Sequence, residues 1–466
     1  MTQVIRLATR KKSLASGQRH WSRYGIVIDA AGEPHLFLAD GSRLYATDRE
    51  LAEAFGRLAG GGDDEGLRQL LEQHGLWGDP FIDDTPIGEF PLHAVSLAIA
   101  QKCNLGCTYC YARGGDFGTP ARNMPEAVAL ETVTKLIEGV APSERVNICF
   151  LGGEPLVNRA VLRRTTEYAA ELGRARGVGV GFSITTNGTL VTEDDGKFFE
   201  LHGFAVTISL DGIGEVHDRQ RAYKGGRGSY GRIMANIAPL LAHQRAMQVS
   251  ARVTVTPRNL RLAETLDHFV GLGFHSVGFS PLLTAPSGQD EMDAGQLGTM
   301  LEQMIECGHA FERHARAGRR YPFLNMVTAL KEIHKGTHRP YPCGAGAGYV
   351  GVSADGGYFA CHRFVEDDAG ALGNIREGLD QTARRAWLAG RHVHRQSPCS
   401  ECWARYLCGG GCHHEVIHRG RPACDYIRGW LTYCLGAYIR LLEVRPDFFG
   451  VEPHGRSSGA TSIDPH

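Results

Sequence analysis

The sequence predicts an α/β protein: a partial, TIM-like (β/α)6 barrel, preceded by a small α+β domain and followed by a cysteine-rich domain. Three observations predict it. Between residues 94 and 285, six short apolar, β-branched runs alternate with five helical patterns, the signature of βαβ units in a parallel sheet. Residues 1–90 follow another order, short strands and then helices. Beyond residue 340 lie eight of the 13 cysteines. At roughly 150 residues per domain, 466 residues suit about three domains. The expected boundaries are 1–90, 91–295 for the barrel, a bridging helical segment 296–342, 343–446 for the cysteine-rich domain, and a polar, disordered tail 447–466.

Each element has a local reason. YGIVID, HLFLAD and RLYAT are β-like runs separated by turn dipeptides, and DRELAEAFGRL and DEGLRQLLEQHGL are amphipathic, with Asp48 and Asp63 or Asp64 as N-caps. FIDDTPIGEFP reads as a linker. The barrel strands are expected at 95–100, 146–151, 180–186, 205–210, 249–255 and 276–280. The helices between them fall at 126–139, 159–176, 193–202, 230–245 and 260–272. Six units are too few for a closed eight-stranded barrel. Ala354-Asp355-Gly356-Gly357 is a hairpin turn between YVGVS and YFACHRF. From Cys424 onward a helical stripe runs through Ile427, Leu431, Cys434, Tyr438 and Leu442.

Composition excludes several classes. Hydrophobic residues are 42% and charged residues 22%, enough for a large core. A net charge of -1 makes no case for nucleic acid or an anionic membrane as partner. No apolar run approaches a membrane span, and no apolar stretch follows the basic start, so a cytoplasmic location without a signal peptide is expected. An odd cysteine count argues against a disulfide framework and for metal.

The peculiar residues gather where chemistry collects in such barrels, at the C-terminal ends of strands. After the first strand comes QKCNLGCTYCYA, with Cys103, Cys107 and Cys110 as C-x3-C-x2-C. After the second come Gly152, Gly153, Glu154 and Pro155, after the third Thr186-Asn187-Gly188, and after the fourth Ser209-Leu210-Asp211-Gly212. Three thiolates from one loop hold a [4Fe–4S] cluster with one iron left open. The plainer alternative is a zinc knuckle completed by His202 or another residue. Asn187-Gly188 and Asp211-Gly212 also read as ordinary turns, and Arg221 as a surface cation.

This set of motifs resembles the radical S-adenosylmethionine (SAM) superfamily over roughly residues 94–285. The resemblance implies that Cys103, Cys107 and Cys110 ligate the cluster. Gly152, Gly153 and Glu154 would meet the SAM ammonium; Tyr109 lies beside the cofactor. Asn187, Ser209 and Asp211 would contact SAM or substrate, and Arg221 the SAM carboxylate. The implied chemistry is reductive cleavage of SAM, then hydrogen abstraction from a substrate.

Cys399-x2-Cys402-x5-Cys408-x3-Cys412, with Cys343 and Cys361 before it and Cys424 after it, resembles the SPASM extension, which holds two auxiliary [4Fe–4S] clusters. By that likeness Cys343, Cys361 and Cys412 serve one cluster, one thiolate short. Cys399, Cys402, Cys408 and Cys424 serve the other, so three clusters are expected. Cys424 is preferred over Cys434, which lies ten residues on, inside the stripe. Cys149 and Cys307 read as structural.

SPASM-type enzymes mostly modify ribosomally made peptides or small protein subunits, with a flavodoxin or ferredoxin as electron donor. In layout the chain is most similar to the maturases of quinohemoprotein amine dehydrogenase, which form Cys-to-Asp/Glu thioether crosslinks in its small subunit. Sulfatase-type formylglycine formation or carbon–carbon crosslinking is the alternative; a non-catalytic iron–sulfur electron-transfer protein is the competing class. Sulfatase maturases typically carry an aspartate after the cysteine matching Cys361. Here His362 stands there, a candidate base with Asp211 as a second catalytic candidate. Residues 20–75 suit either peptide docking or a structural cap.

Overall fold

The computed structural model describes residues 5–6, 21–83 and 91–449. The expected tail from 450 onward, and most of the expected linker, lie outside the described residues.

The N-terminal unit comprises β1 (Gly25–Ala30), β2 (Glu33–Leu38), β3 (Arg43–Ala46), α1 (Arg49–Gly61) and α2 (Asp64–Gln73). Asp48 and Asp63 cap the helices by accepting from Leu51 N and Gly66 N. One sheet face buries Val27, Leu36 and Tyr45 against Phe55 and Leu67 of these helices. The other face carries Ile26, Ile28 and Phe37 into the main core, where Phe37 meets Trp403 edge-on at 5.9 Å. Arg23 reaches Glu401 at 3.3 Å. The unit expected to stand apart is therefore seated on the cysteine-rich region, because its sheet is apolar on both faces.

The barrel follows the expected order: β4 (Ala94–Gln101), α3 (Glu126–Glu138), β5 (Arg145–Gly152), α4 (Arg159–Arg176), β6 (Gly179–Thr186), α5 (Glu193–Leu201), β7 (Ala205–Ser209), α6 (Tyr230–Ala242), β8 (Gln248–Val255), α7 (Leu262–Gly271) and β9 (Ser276–Pro281). The six strands are parallel, in the order β9-β8-β7-β6-β5-β4. Alternation sets the two faces. Val146, Ile148 and Phe150 of β5 are fully buried toward the helices, whereas Asn147 and Cys149 are half-buried toward the lumen. In β8, Val249, Ala251, Val253 and Val255 are buried, and Ser250, Arg252 and Thr254 face inward. Closed barrels fill the lumen with branched apolar side chains. Here small and hydroxylated residues such as Ser183, Thr207 and Ser280 leave it open.

Two helices, α8 (Ala294–Arg316) and α9 (Leu324–Lys335), bridge to the cysteine-rich region. There β10 (Tyr349–Val352) pairs in parallel with β4, and β11 (Gly357–Phe359), β12 (Ala371–Asn374) and β13 (Gly378–Leu379) continue antiparallel. The Cys361 hairpin thus extends the barrel sheet itself. Its turn includes Gly356 at φ 90, a left-handed backbone that favours glycine. Then come α10 (Gln381–Arg391), α11 (His413–Arg419) and α12 (Cys424–Val444). α12 packs on α8, α9 and β1, joining the three regions. Among the described residues, no helix is long and apolar enough to cross a membrane.

Candidate functional site

The loop after β4 carries Cys103, Cys107 and Cys110 and is stitched to residues 220–224. Gly106 N donates to Ala222 O at 2.8 Å, Thr108 N to Gln220 O at 3.1 Å, and Lys224 N to Asn104 O at 3.3 Å. The three thiols are close enough to interact electrostatically; burial raises the pKa of Cys103 and pushes Cys107 up to about 12, with neighbouring thiols adding to both. Thiolates so placed need a cation, which a bound metal supplies. His202 packs instead on Phe198, with ring centroids 4.6 Å apart, and on Phe182. Those aromatic contacts tie it to α5 and β6, which leaves the zinc-knuckle alternative without its expected fourth ligand.

The glycines of Gly152-Gly153-Glu154 answer to backbone approach. Gly152 has φ 137, and a Cβ on it would overlap the Ala100 carbonyl; one on Gly153 would overlap the Lys102 carbonyl. They bring the end of β5 against the root of the cysteine loop. Gly115 does the same from the other side, since a Cβ there would lie 2.6 Å from Cys103 Cβ. Sequence reading passed over Gly115, whose only signal was an unexplained Gly-Gly pair.

Glu154 is fully buried. Its carboxylate accepts from Thr186 Oγ1 (2.7 Å), Asn187 N (2.8 Å) and Leu156 N (3.1 Å). Burial pushes its pKa up, and no cation lies within ion-pair distance among the described residues. A carboxylate offers about four acceptor sites, so one remains, and a buried anion that Arg221 compensates only from beyond ion-pair distance favours a cationic ligand. An ammonium group fits that position.

Asn187 donates from Nδ2 to Asn104 Oδ1 at 2.9 Å and to Cys103 Sγ at 3.7 Å. It braces the cysteine loop. Ser209 faces the lumen at the end of β7. Asp211 is fully buried, accepts from Thr254 N at 2.8 Å and from the Tyr109 hydroxyl, and lies 3.5 Å from Arg221. Burial raises its pKa, against the pull of Arg221. With these partners Asp211 is placed as a clamp on the cysteine loop, not as a base open to the lumen. Arg221 donates to the Tyr109 hydroxyl at 2.6 Å and is buried, not on the surface; its Nε is buried without a partner. That free donor beside the cysteine loop fits a carboxylate.

His362 sits in the turn after Cys361. Its Nδ1 is 2.9 Å from the Tyr349 hydroxyl, which also meets Ser96 Oγ at 2.7 Å. Burial lowers its pKa to about 4, so it is neutral at physiological pH. Tyr111, next to Cys110, meets the His362 ring edge-on at 6.0 Å and lies 5.7 Å from the Arg363 guanidinium. It thus stands between the first cysteine loop and the Cys361 turn. Arg363 in turn approaches Cys412 Sγ at 3.7 Å and pairs with Glu415 at 2.7 Å. Cys149 is largely buried and faces the lumen near Ser183 and Tyr349, and burial raises its pKa.

Most of the remaining thiols gather in the C-terminal region. Cys343, Cys361 and Cys412 interact electrostatically with one another. Cys399, Cys402, Cys408 and Cys424 line one cavity, which Cys412 lines as well. Cys424 opens α12, whereas Cys434 is fully buried with its Sγ 3.9 Å from Met326 Sδ. Cys307 is also fully buried.

Residues 97–270 match the family model of the radical SAM superfamily, so the chain carries a radical SAM domain. The match spans the barrel strands from within β4 to the end of α7. Among curated proteins, the chain is 25% identical over 364 residues to a serine-type anaerobic sulfatase-maturating enzyme of Klebsiella aerogenes, covering 74% of this chain and 85% of that protein. It is 37% identical over 141 residues to a cysteine-type anaerobic sulfatase-maturating enzyme of Clostridium novyi, covering 30% and 37%. Among solved structures, anSMEcpe with bound AdoMet superposes with a TM-score of 0.63 at 20% identity, over 76% of this chain and 99% of that one. SuiB of Streptococcus suis bound to its precursor peptide SuiA superposes at 0.51 and 14% identity, over 87% and 98%. The α/β radical SAM fold is thereby shown. Likeness to the quinohemoprotein amine dehydrogenase maturases is not among these findings.

Proposed function

We propose that the chain is a radical SAM maturase that oxidises a side chain of a peptide or protein substrate, a reading supported by its likeness to sulfatase-maturating enzymes. The observation that carries this reading is the three-cysteine loop at the barrel mouth, flanked by a buried anion (Glu154) and a free guanidinium donor (Arg221 Nε), above an open polar lumen. A scaffold or electron carrier needs the cysteines but not that pair of ligand-sized polar groups.

A SAM-bound cluster held by Cys103, Cys107 and Cys110 would supply one-electron SAM cleavage and abstraction of a substrate hydrogen atom. The chain's residues supply the rest. Glu154 holds the ammonium and Arg221 the carboxylate, each by a charge-assisted hydrogen bond. Tyr109 and Asp211 fix Arg221. Tyr349 engages His362 Nδ1, leaving Nε2 to accept a proton from the substrate side chain.

Formylglycine formation is the reading the sulfatase-maturase relatives support. One observation favours the thioether reading beside it. Arg252 is a largely buried, inward-facing cation of β8 whose hydrogen-bond partner is Ser280 Oγ; Glu415 acts on it electrostatically but is ion-paired to Arg363. An Asp or Glu side chain of a substrate would give that guanidinium a counterion. The test is anaerobic turnover of three synthetic peptides, one with a sulfatase-type serine, one with cysteine, and one with cysteine and an acidic residue. The expected result is a two-hydrogen oxidation of one peptide, matched by 5′-deoxyadenosine; for serine or a thioether the peptide loses two hydrogens, and for cysteine the thioaldehyde left by that loss takes up water and releases hydrogen sulfide to give the aldehyde. Dependence of the acidic peptide on Arg252, tested with Arg252→Gln, selects the thioether reading. Three unchanged peptide masses count against the maturase.

A further inference from the structure

Among the described residues outside the cysteine sets, one group of metal-ligating side chains stands together. His414 and His418 are four apart on α11, on one helical face, with ring centroids 4.5 Å apart. Asp367 comes from the separate segment that follows Cys361. One ligand atom from each residue lies within 4.8 Å of the others. The carboxylate is oriented in advance. Asp367 Oδ1 accepts from Ala369 N at 3.0 Å, and Oδ2 is left facing His418 Nε2 at 2.7 Å. Phe364 backs both imidazoles, 5.0 Å from His414 and 6.1 Å from His418, which limits their rotation. His414 Nδ1 is buried without a hydrogen-bond partner.

We propose that Asp367, His414 and His418 form a mononuclear site for a divalent transition metal, with zinc the best-suited ion. The donor set decides the class. Two imidazoles and a carboxylate suit zinc, whereas calcium and magnesium take oxygen ligands. Zinc bonds of about 2.0–2.2 Å place neighbouring ligand atoms of a tetrahedron roughly 3.3 Å apart. The His418–Asp367 pair needs only to open slightly, and His414 to close by a side-chain rotation. With His418 exposed, the fourth position is open to water, as in three-ligand zinc sites.

The site's place in the chain gives it a role. Asp367 lies six residues beyond Cys361, while His414 lies two and His418 six beyond Cys412. A metal there pins the Cys361 turn to the start of α11. Those segments carry two of the three thiols of the set that is one thiolate short. The metal would hold them in register independently of any iron, a constraint comparable to a crosslink between distant segments.

The experiment uses the cluster-reconstituted holoenzyme, so that the cysteine sets are filled with iron and do not bind zinc. Wild type, His418→Ala and Asp367→Asn are loaded with zinc sulfate, desalted, and measured for zinc and iron by mass spectrometry. The expected result is one zinc retained per wild-type chain, at least tenfold less in either variant, and unchanged iron in all three. X-ray absorption at the zinc edge is expected to show nitrogen and oxygen ligands only. The exposed His418 makes His418→Ala tolerable to the fold, and equal circular dichroism checks that. Equal zinc in wild type and both variants, absence of zinc from the wild type, or a sulfur shell at the zinc edge would overturn the proposal.

Discussion

Replacing Asp211 by Asn tests whether the buried Tyr109–Asp211–Arg221 group holds the first cysteine loop. The substitution keeps the shape and one acceptor oxygen but removes the negative charge 3.5 Å from Arg221. Arg221 is 9% exposed and already has one nitrogen without a partner. Removing one member of such a buried pair costs about 3–5 kcal/mol, because the other charge is left uncompensated. For a domain of this size each kcal/mol shifts the melting temperature by about 2–4 °C, so a fall of roughly 6–20 °C is expected. Tyr109→Phe removes only a hydroxyl and costs about 1–3 kcal/mol. Because Tyr109 sits between Cys107 and Cys110, the damage reaches the cluster, and iron is lost preferentially from the first site. The assay is thermal melting of the anaerobically reconstituted protein by circular dichroism, with iron counted before and after a desalting step. Asp211→Gln is too long for the same test, whereas Asp211→Asn with Arg221→Gln is expected to recover part of the loss. An Asp211→Asn protein that melts within about 1 °C of wild type and keeps all its iron would refute the reasoning.

Three further outcomes follow from the same geometry. Cys424→Ala is expected to lose about four irons per chain, one cubane cluster, while Cys434→Ala keeps its iron; iron and sulfide analysis separates them, and equal iron loss would contradict the placement of the two thiols. Gly153→Ala drives a Cβ into the Lys102 carbonyl, and the backbone shift it forces costs about 1–3 kcal/mol or more; a lowered melting temperature and a depleted first cluster are expected. His217 accepts from Asp211 N at 3.2 Å and is held by burial and by Arg221 at a pKa of about 3. A histidine lowered in the folded state contributes stability that is complete above its ordinary 6.5 and is lost as pH falls from there toward 3. At about 1.4 kcal/mol per pH unit, roughly 3 kcal/mol goes between pH 7 and 4.5. His217→Gln is expected to lose less stability than wild type over that interval, and parallel denaturant titrations at the two pH values measure the difference.

Much of the barrel was legible because its signals are local. The strand Val146–Leu151 alternates in a way only one orientation can bury, and Asp48 and Asp63 cap where a carboxylate before a helical pattern should. Cys424 and Cys434 separated on helical rise alone, about 1.5 Å per residue. What escaped depends on partners distant in sequence. Nothing in YVGV announces that it pairs with β4, since a short apolar run fits any open sheet edge. The N-terminal unit read as standing apart, because nothing local to β1 and β2 announces that α12 and Trp403 cover one of their faces. Glu154 was legible as a buried anion, yet its hydrogen bonds to Thr186 and Asn187 join two strand ends that only the barrel brings together. Asp211 looked like a site residue in its turn dipeptide; its work as a clamp depends on Tyr109, 102 positions earlier. Cys149 read as a strand residue, and strand apolarity hid that its face is the polar lumen wall beside Ser183.

Incubation of the reconstituted protein with SAM and dithionite, under strict exclusion of oxygen, tests the central reading most directly. The expected result is formation of 5′-deoxyadenosine and methionine in equal amounts, abolished by alanine at Cys103, Cys107 or Cys110 and strongly reduced by Glu154→Gln. A wild-type protein fully loaded with iron that yields neither product would contradict it.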